Sequence, residues 1–133
     1  MPLRRVIRAT LLLGALPLLC GAGRARDAKV QLEFGVEMAR SGSWNEAEFR
    51  FLRAAELAPG DPVILNNLAV AYENNGRYEQ AKETYLKALE IDADNDRIRQ
   101  NYERFHLFYQ DLLDRRGREE AGGGDDAGAG GAP

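Results

Sequence analysis

The residues that could carry out catalysis or bind a metal are few in this chain. The single histidine is His106 and the single cysteine is Cys20. Neither has the partners that a zinc site needs, and no serine or aspartate completes a nucleophilic triad around His106. We therefore expect His106 at the surface or at the core boundary, and we expect a protein without enzymatic activity, cofactor or metal.

An acidic run, Asp-Ala-Asp-Asn-Asp at residues 92–96, resembles the start of a calcium-binding loop, and Glu103 falls at the twelfth position of that loop. However, Arg97 stands where the loop needs its turn-forming glycine, and Arg99 adds an opposing charge. The run is therefore interpreted as a turn between helices whose acidic side chains cap a helix.

The amino-terminal segment has the layout of a secretory signal peptide. Three arginines within the first eight residues precede an apolar run at 9–19, and small residues follow. Because this run is shorter than the roughly 20 apolar residues that span a bilayer, we expect cleavage after Ala22 or Ala25. An uncleaved anchor and an organelle transit peptide are the alternatives.

Cys20 lies where a bacterial lipoprotein carries its lipidated cysteine. The match is incomplete, since Leu19 precedes it where a small residue is usual and Pro17 stands where leucine is usual. Lipidation of Cys20 is therefore an alternative to its removal with the signal. It would make the protein a lipid-anchored assembly factor for an outer-membrane, secretion or pilus complex.

The charge balance argues against nucleic-acid binding. The chain of 133 residues has a net charge of −3. Cleavage after Ala25 removes four of the 18 basic residues and leaves 14 against 21 acidic residues, a net charge of −7. An acidic protein binds nucleic acid poorly.

We expect export to the periplasm or cell envelope of a bacterium, with membrane contact only if the chain is lipidated or the signal is kept.

A pattern of residues recurs at a spacing of 34 positions. In each copy a glycine is followed by an aromatic residue, an alanine, a second aromatic residue and a second alanine. The two sets are Gly42, Trp44, Ala47, Phe51 and Ala54, and Gly76, Tyr78, Ala81, Tyr85 and Ala88. Matches at one offset over five positions are hard to obtain by chance, so this repeat organises the fold.

The period and the residue types resemble the tetratricopeptide-repeat family, whose signature runs W-x2-L-G-x2-Y, then A-x3-F, then P. The copies occupy residues 28–61 and 62–95, about half of the chain. The matching positions are Gln31, Phe34, Gly35, Met38, Ala47, Phe51 and Pro59, and Leu65, Leu68, Ala69, Tyr72, Ala81, Tyr85 and Ala93. The resemblance implies an all-α solenoid of two helix-turn-helix repeats.

The residues themselves agree with paired antiparallel helices. Small side chains are predicted where two helices approach closely, at Gly35, Ala47, Ala69 and Ala81. Bulky side chains are predicted to fill the space between the helices, at Phe34, Phe51, Leu68, Tyr72 and Tyr85. Turns are expected at 41–43 and 74–76, and Asp61 and Pro62 are expected to begin the second repeat.

A helix over 96–116 is predicted to cap the solenoid, because about three repeats are normally needed for stability. Its apolar stripe consists of Ile98, Tyr102, Phe105, Tyr109 and Leu112. Asp96 is the expected N-cap and Gly117 the expected stop. Leu107, Phe108 and Leu113 lie off this stripe, so that either they meet a second copy in a homodimer or a partner, or they pack on the second repeat and the end of the helix frays. The predicted division is signal peptide 1–25, repeat domain 26–116 and disordered tail 117–133.

The family resemblance also implies a binding groove, which the first helix of each repeat lines and which takes an extended peptide or a partner's helix. The groove positions are Lys29, Leu32, Val36, Arg40, Val63, Asn66, Val70 and Glu73, with Arg97, Gln100 and Arg104 from the capping helix. Asn66 is expected to hydrogen-bond a peptide backbone, or else to face solvent. A carboxylate clamp is not expected, because Leu32 and Val36 replace the polar residues it needs. The predicted function is an adaptor in the cell envelope.

Overall fold

The computed structural model describes residues 16–122 and contains, over that range, five helices and no strand. The helices are α1 (Leu16–Arg40), α2 (Trp44–Leu57), α3 (Pro62–Asn74), α4 (Tyr78–Ile91) and α5 (Asp96–Gly122). The prediction of an all-α fold is confirmed. The helices α1 and α2 form one hairpin, α3 and α4 form the next, and α3 contacts each of the other four described helices.

Small residues bring the two helices of each hairpin together, as predicted. A Cβ atom added at Gly35 of α1 would overlap the ring of Phe51 on α2. Ala47, Ala69 and Ala81 are fully buried in the main core cluster. The close approach therefore depends on the absence of side-chain volume at these positions.

The prediction that Phe34 fills the space between helices is wrong. Its side chain is 54% exposed, whereas Leu68 at the same position of the second repeat is 4% exposed. Leu68 is covered because α2 packs against α3. None of the described helices packs on the equivalent face of α1, whose contacts are with α2 and α3.

The turns inside the hairpins are built on glycines in the left-handed region. Gly42 has a φ of 79° and Gly76 a φ of 73°, conformations that a residue with a Cβ rarely adopts. Between the hairpins, the carboxylate of Asp61 accepts hydrogen bonds from the backbone N–H groups of Val63 and Ile64, at 2.8 and 3.3 Å. The predicted turns and the predicted N-cap are confirmed.

The helix α5 packs on the second hairpin through its predicted stripe. Ile98, Phe105 and Tyr109 are buried. The ring centroid of Phe105 lies 5.5 Å from that of Tyr85 and 5.6 Å from that of Tyr109. Tyr102 and Leu112 are partly buried against the same cluster. Aromatic packing thus closes the carboxyl-terminal end of the solenoid.

Both predicted ends of α5 need correction. Asn95, rather than Asp96, caps the helix, because its Oδ1 accepts from the backbone N–H of Ile98 at 3.3 Å. The helix also continues through Gly117 to Gly122. A glycine in an exposed helix costs only about 1 kcal/mol relative to alanine, which the neighbouring helix formers outweigh. Residues 123–133 of the predicted tail lie outside the described range.

The helix α1 begins upstream of the predicted repeat domain, at Leu16, and passes through the two expected cleavage positions. Between residues 21 and 40 of this helix, Ala28 is the first buried residue, at 2% exposure. The remainder of the predicted signal peptide, residues 1–15, lies outside the described range. No helix among those described is long and apolar enough to cross a membrane.

Candidate protein-binding groove

Three helices form the face on which the predicted binding residues lie. The helix α3 contacts α1 on one side and α5 on the other, so the first helices of the repeats lie next to one another. We call the surface of these three helices that carries the predicted residues the groove. Four of its eight predicted members on α1 and α3 are apolar, and those on α5 are polar or basic.

The α1–α3 half of the groove is apolar. Leu32, Val36 and Val70 are partly buried and pack against the main core cluster. Val63 is 47% exposed at the start of α3. Lys29 and Arg40 are exposed on α1, and the Lys29 ammonium lies 3.8 Å from Glu33. This half therefore offers apolar surface with basic side chains on α1.

The α3–α5 half of the groove is polar and centres on Glu73. Its Oε2 accepts a hydrogen bond from the hydroxyl of Tyr85 at 3.1 Å and another from the guanidinium of Arg104 at 3.5 Å. Burial raises the pKa of the Tyr85 phenol, and the Glu73 carboxylate raises it further. Arg97 and Gln100 are exposed on α5. This half is suited to ionic and polar contacts.

The expected role of Asn66 is not supported by its position. The side chain is 5% exposed, and its Oδ1 accepts a hydrogen bond from the Nδ2 of Asn101 at 3.0 Å. The neighbouring Asn67 donates to the carbonyl of Val63 on its own helix, at 2.8 Å. Asn66 therefore joins α3 to α5 instead of facing a ligand. Its partner lies 35 residues further along the chain, so no local pattern indicated this bond.

The residues considered for catalysis or metal binding occupy structural positions. His106 is partly buried, with its ring centroid 5.7 Å from that of Tyr102. In the acidic run, Asp92 accepts from Asn95 at 2.9 Å, and Asp96 pairs with Arg99. Over residues 16–122, no group of three histidine, cysteine, aspartate or glutamate side chains could hold a metal ion. The acidic run thus forms the interhelical turn that was predicted.

A cleft that the sequence did not indicate lies between α2 and α4. Its volume is about 500 Å³. Between the two helices the cleft is lined by three residues of α3, Leu65, Leu68 and Tyr72. The rest of the lining consists of Ala55, Pro59, Thr84, Lys87, Glu90 and Ile91. Burial is the main cause of a raised pKa at the Tyr72 phenol. The distance between α2 and α4, the second helices of the two repeats, depends on how the hairpins pack together. The sequence of one repeat therefore does not predict it.

Comparisons with known proteins agree with this architecture. The family model described as "Tetratricopeptide repeat" matches residues 62–95. Among solved structures, the Arabidopsis OM64 TPR domain superposes with a TM-score of 0.62 at 20% identity, covering 70% of this chain and 74% of that one. At that identity the likeness establishes the fold.

Curated relatives extend the similarity to longer stretches. Photosystem I assembly protein Ycf3 of Synechococcus is 32% identical over 91% of this chain and 67% of its own length. Type IV pilus assembly protein PilF of Pseudomonas aeruginosa is 33% identical over 71% of this chain and 39% of its own. The co-chaperone sgt12 of Aspergillus fumigatus is 30% identical over 76% and 28%. The chain thus spans less than half of the latter two. With the repeat, the turn glycines and the helical hairpins, these matches show that the chain belongs to the tetratricopeptide-repeat family, a non-catalytic class of protein-interaction repeats.

Proposed function

We propose that this protein is a non-enzymatic adaptor of the cell envelope that binds a segment of a partner protein along the groove. The observation that carries the proposal is the apolar strip formed by Leu32, Val36, Val63 and Val70 on α1 and α3, which is only partly covered. The names of Ycf3 and PilF, both assembly proteins, support a role in building a complex.

The chemistry of the groove defines the partner segment. Apolar side chains would lie on the α1–α3 half, and acidic ones would meet the exposed Arg97 and Arg104 on α5. Exposed ion pairs add little affinity but select the orientation of the segment. The partner is therefore a mixed apolar and acidic peptide or helix. Asn66 contributes indirectly by holding α5 against α3.

An exported location is part of the proposal and rests on the amino-terminal segment. Three early arginines, an apolar run and small residues support export. A lipid-anchored assembly factor is the second candidate, favoured by the position of Cys20 and by the similarity to PilF. Mass spectrometry of the mature amino terminus separates the two. A diacylglyceryl group on Cys20 supports the anchor, and cleavage after Ala22 or Ala25 supports a free periplasmic protein.

The groove assignment is tested by affinity capture from bacterial envelope extracts. The variant Val70→Glu places a charge in the apolar strip, and Leu86→Glu places one at a 40% exposed leucine on α4, away from the groove. We expect the Val70 variant to lose a partner that the parent and the Leu86 variant both retain. Equal recovery with all three proteins would contradict the groove assignment. Circular dichroism of each variant controls for folding.

A further inference from the structure

The packing between successive repeats is seen twice in this chain. Ile64 of α3 shares a buried cluster with Ala54 of α2. Thirty-four residues later, Ile98 of α5 shares a buried cluster with Ala88 of α4. Both isoleucines are 1% exposed. In both cases the first helix of the following unit packs an isoleucine against the equivalent alanine of the helix before it.

An aromatic residue accompanies each alanine, three positions earlier. Phe51 precedes Ala54 and belongs to the cluster that contains Leu68 of α3. Tyr85 precedes Ala88, and its ring centroid lies 6.1 Å from that of Tyr102 of α5. Since Leu68 and Tyr102 are also 34 residues apart, the two interfaces have equivalent partners. A helix that covers such a face presents an aromatic residue followed by alanine at the third position.

The third copy of this face lies on α1 and is uncovered within the described residues. Val30 corresponds to Ile64 and is 41% exposed, and Phe34 corresponds to Leu68 and is 54% exposed. Arg50 of α2 lies 5.5 Å from the ring centroid of Phe34 and equally far from that of Phe49, which is 52% exposed. We call Val30, Phe34 and Phe49 the end face.

The opposite end of the solenoid, on α5, carries charged residues at the corresponding positions. On α5 the positions that correspond to Leu65 and Ala69 are Arg99 and Glu103, which are exposed. Solenoids need a polar outer surface on their terminal repeats to remain soluble. Arg99 and Glu103 meet that requirement over the first turns of α5, although Leu107 and Phe108 further along this helix are 73% and 46% exposed. At the α1 end, by contrast, the positions of the repeated interface itself, Val30 and Phe34, are apolar and exposed. Such exposed apolar clusters mark interaction sites.

We propose that the end face is a second docking site, separate from the groove, for an amphipathic helix of a partner protein whose stripe carries an aromatic residue followed by alanine at the third position. The docked helix would continue the solenoid by one layer, in the manner of α2 on α3. A second copy stacked head to tail would not supply such a helix. Its last helix with the aromatic and alanine pair is α4, and α5 already covers α4.

The test uses a peptide of residues 44–58 of this chain, which contains Phe51 and Ala54, held helical by a staple on its solvent side. Fluorescence anisotropy measures its binding to the full chain. We expect saturable binding that weakens by about tenfold or more in Phe34→Glu and Val30→Glu. Leu86→Glu, at a 40% exposed leucine on α4, is the matched control and should bind like the parent.

A control peptide with Phe51→Ser and Ala54→Gln should bind at least about tenfold more weakly than the parent peptide. Absence of binding, or binding that Phe34→Glu does not weaken, would overturn the proposal. Sedimentation that shows a dimer of the parent, dissociated by Phe34→Glu, would also overturn it, because a second copy would then be the occupant. Val70→Glu should leave peptide binding unchanged, so failure of the groove assignment is distinguished from failure of the end face.

Discussion

Glu48 and Arg77 form an ion pair at 2.7 Å that links the second helix of the first repeat to the turn of the second. The Glu48 side chain is only 8% exposed, whereas that of Arg77 is 51% exposed. Asn75 of the same turn donates to the carboxylate of Glu48 at 2.7 Å and to the carbonyl of Trp44 at 3.3 Å. A buried carboxylate with two donors therefore fixes the position of one hairpin on the next.

Replacement of Glu48 by alanine should destabilise the fold. The change leaves Asn75 without its carboxylate acceptor and opens space beside the turn, so we expect a loss of about 1–3 kcal/mol in the free energy of unfolding. Urea denaturation followed by circular dichroism measures it. Glu46→Ala, which removes an exposed i,i+4 pair with Arg50, should change stability by less than about 1 kcal/mol. Equal effects of the two changes would contradict this role of Glu48.

Gly35→Ala should also destabilise the protein, because the new methyl group would overlap the ring of Phe51. Insertion of a methyl group into a packed interior costs about 1–3 kcal/mol, which exceeds the gain in helix propensity. Thermal unfolding gives the comparison. Gly60→Ala is the control, since a methyl group at that position would have no atom within 4 Å of it. A Gly35 variant as stable as the parent would show that the two helices can separate at no cost.

Alkaline pH should unfold the protein through its buried tyrosines. The phenol pKa of Tyr85 is raised mainly by burial, so the folded state keeps a proton that the unfolded chain releases above a pH of about 10. Protonated Tyr85 therefore contributes fully to the free energy of unfolding below that pH, and this contribution is lost as the pH rises further. Near-ultraviolet absorbance of tyrosinate, recorded with circular dichroism, should show Tyr85 ionising together with unfolding.

The variant Tyr85→Phe should flatten this alkaline decline, leaving the contributions of Tyr72, whose pKa burial raises, and of Tyr109, whose pKa the hydrogen bond to Glu79 raises. At neutral pH it should lose about 1 kcal/mol, because the hydrogen bond to Glu73 is gone. An unchanged alkaline transition in this variant would assign the pH dependence to other groups.

Gly117→Ala should increase the helical signal while leaving global unfolding almost unchanged. Nothing lies within 4 Å of the position that a Cβ would take at this glycine, and the helix runs through it to Gly122. Alanine favours the helix by about 1 kcal/mol at such a site. Far-ultraviolet circular dichroism measures the change. If the helix ended before Gly117, the substitution would not increase the helical signal. That result would support the original prediction that Gly117 ends the helix.

The spacing of 34 residues was sufficient to predict the two hairpins and their glycine turns, and the Asp-Pro pair at 61–62 was sufficient to predict the cap at Asp61. These features depend on local geometry, which residue type and position determine directly. The aromatic stripe of α5 was predictable for the same reason, since its helical period identifies the buried side. The end of α5 was not, because a single glycine changes helix stability by too little to decide a boundary.

The errors concern residues whose environment depends on a neighbouring layer. Phe34 matches the family pattern, but its exposure depends on whether another helix precedes α1. Asn66 looks like a polar groove residue until Asn101 is placed beside it. Glu48 was not singled out from the sequence at all, because only the turn of the next repeat makes it buried. Such environments follow from how layers stack, which one repeat cannot specify.

The central position of α3 has a consequence for how the molecule opens. Among the described helices it alone contacts all the others, whereas α5 contacts only α3 and α4. Thermal fluctuations should therefore detach the outer helices before α3 loses its neighbours. In deuterated solvent, backbone amides of α3 should exchange last, with progressively faster exchange towards α1 on one side and α5 on the other.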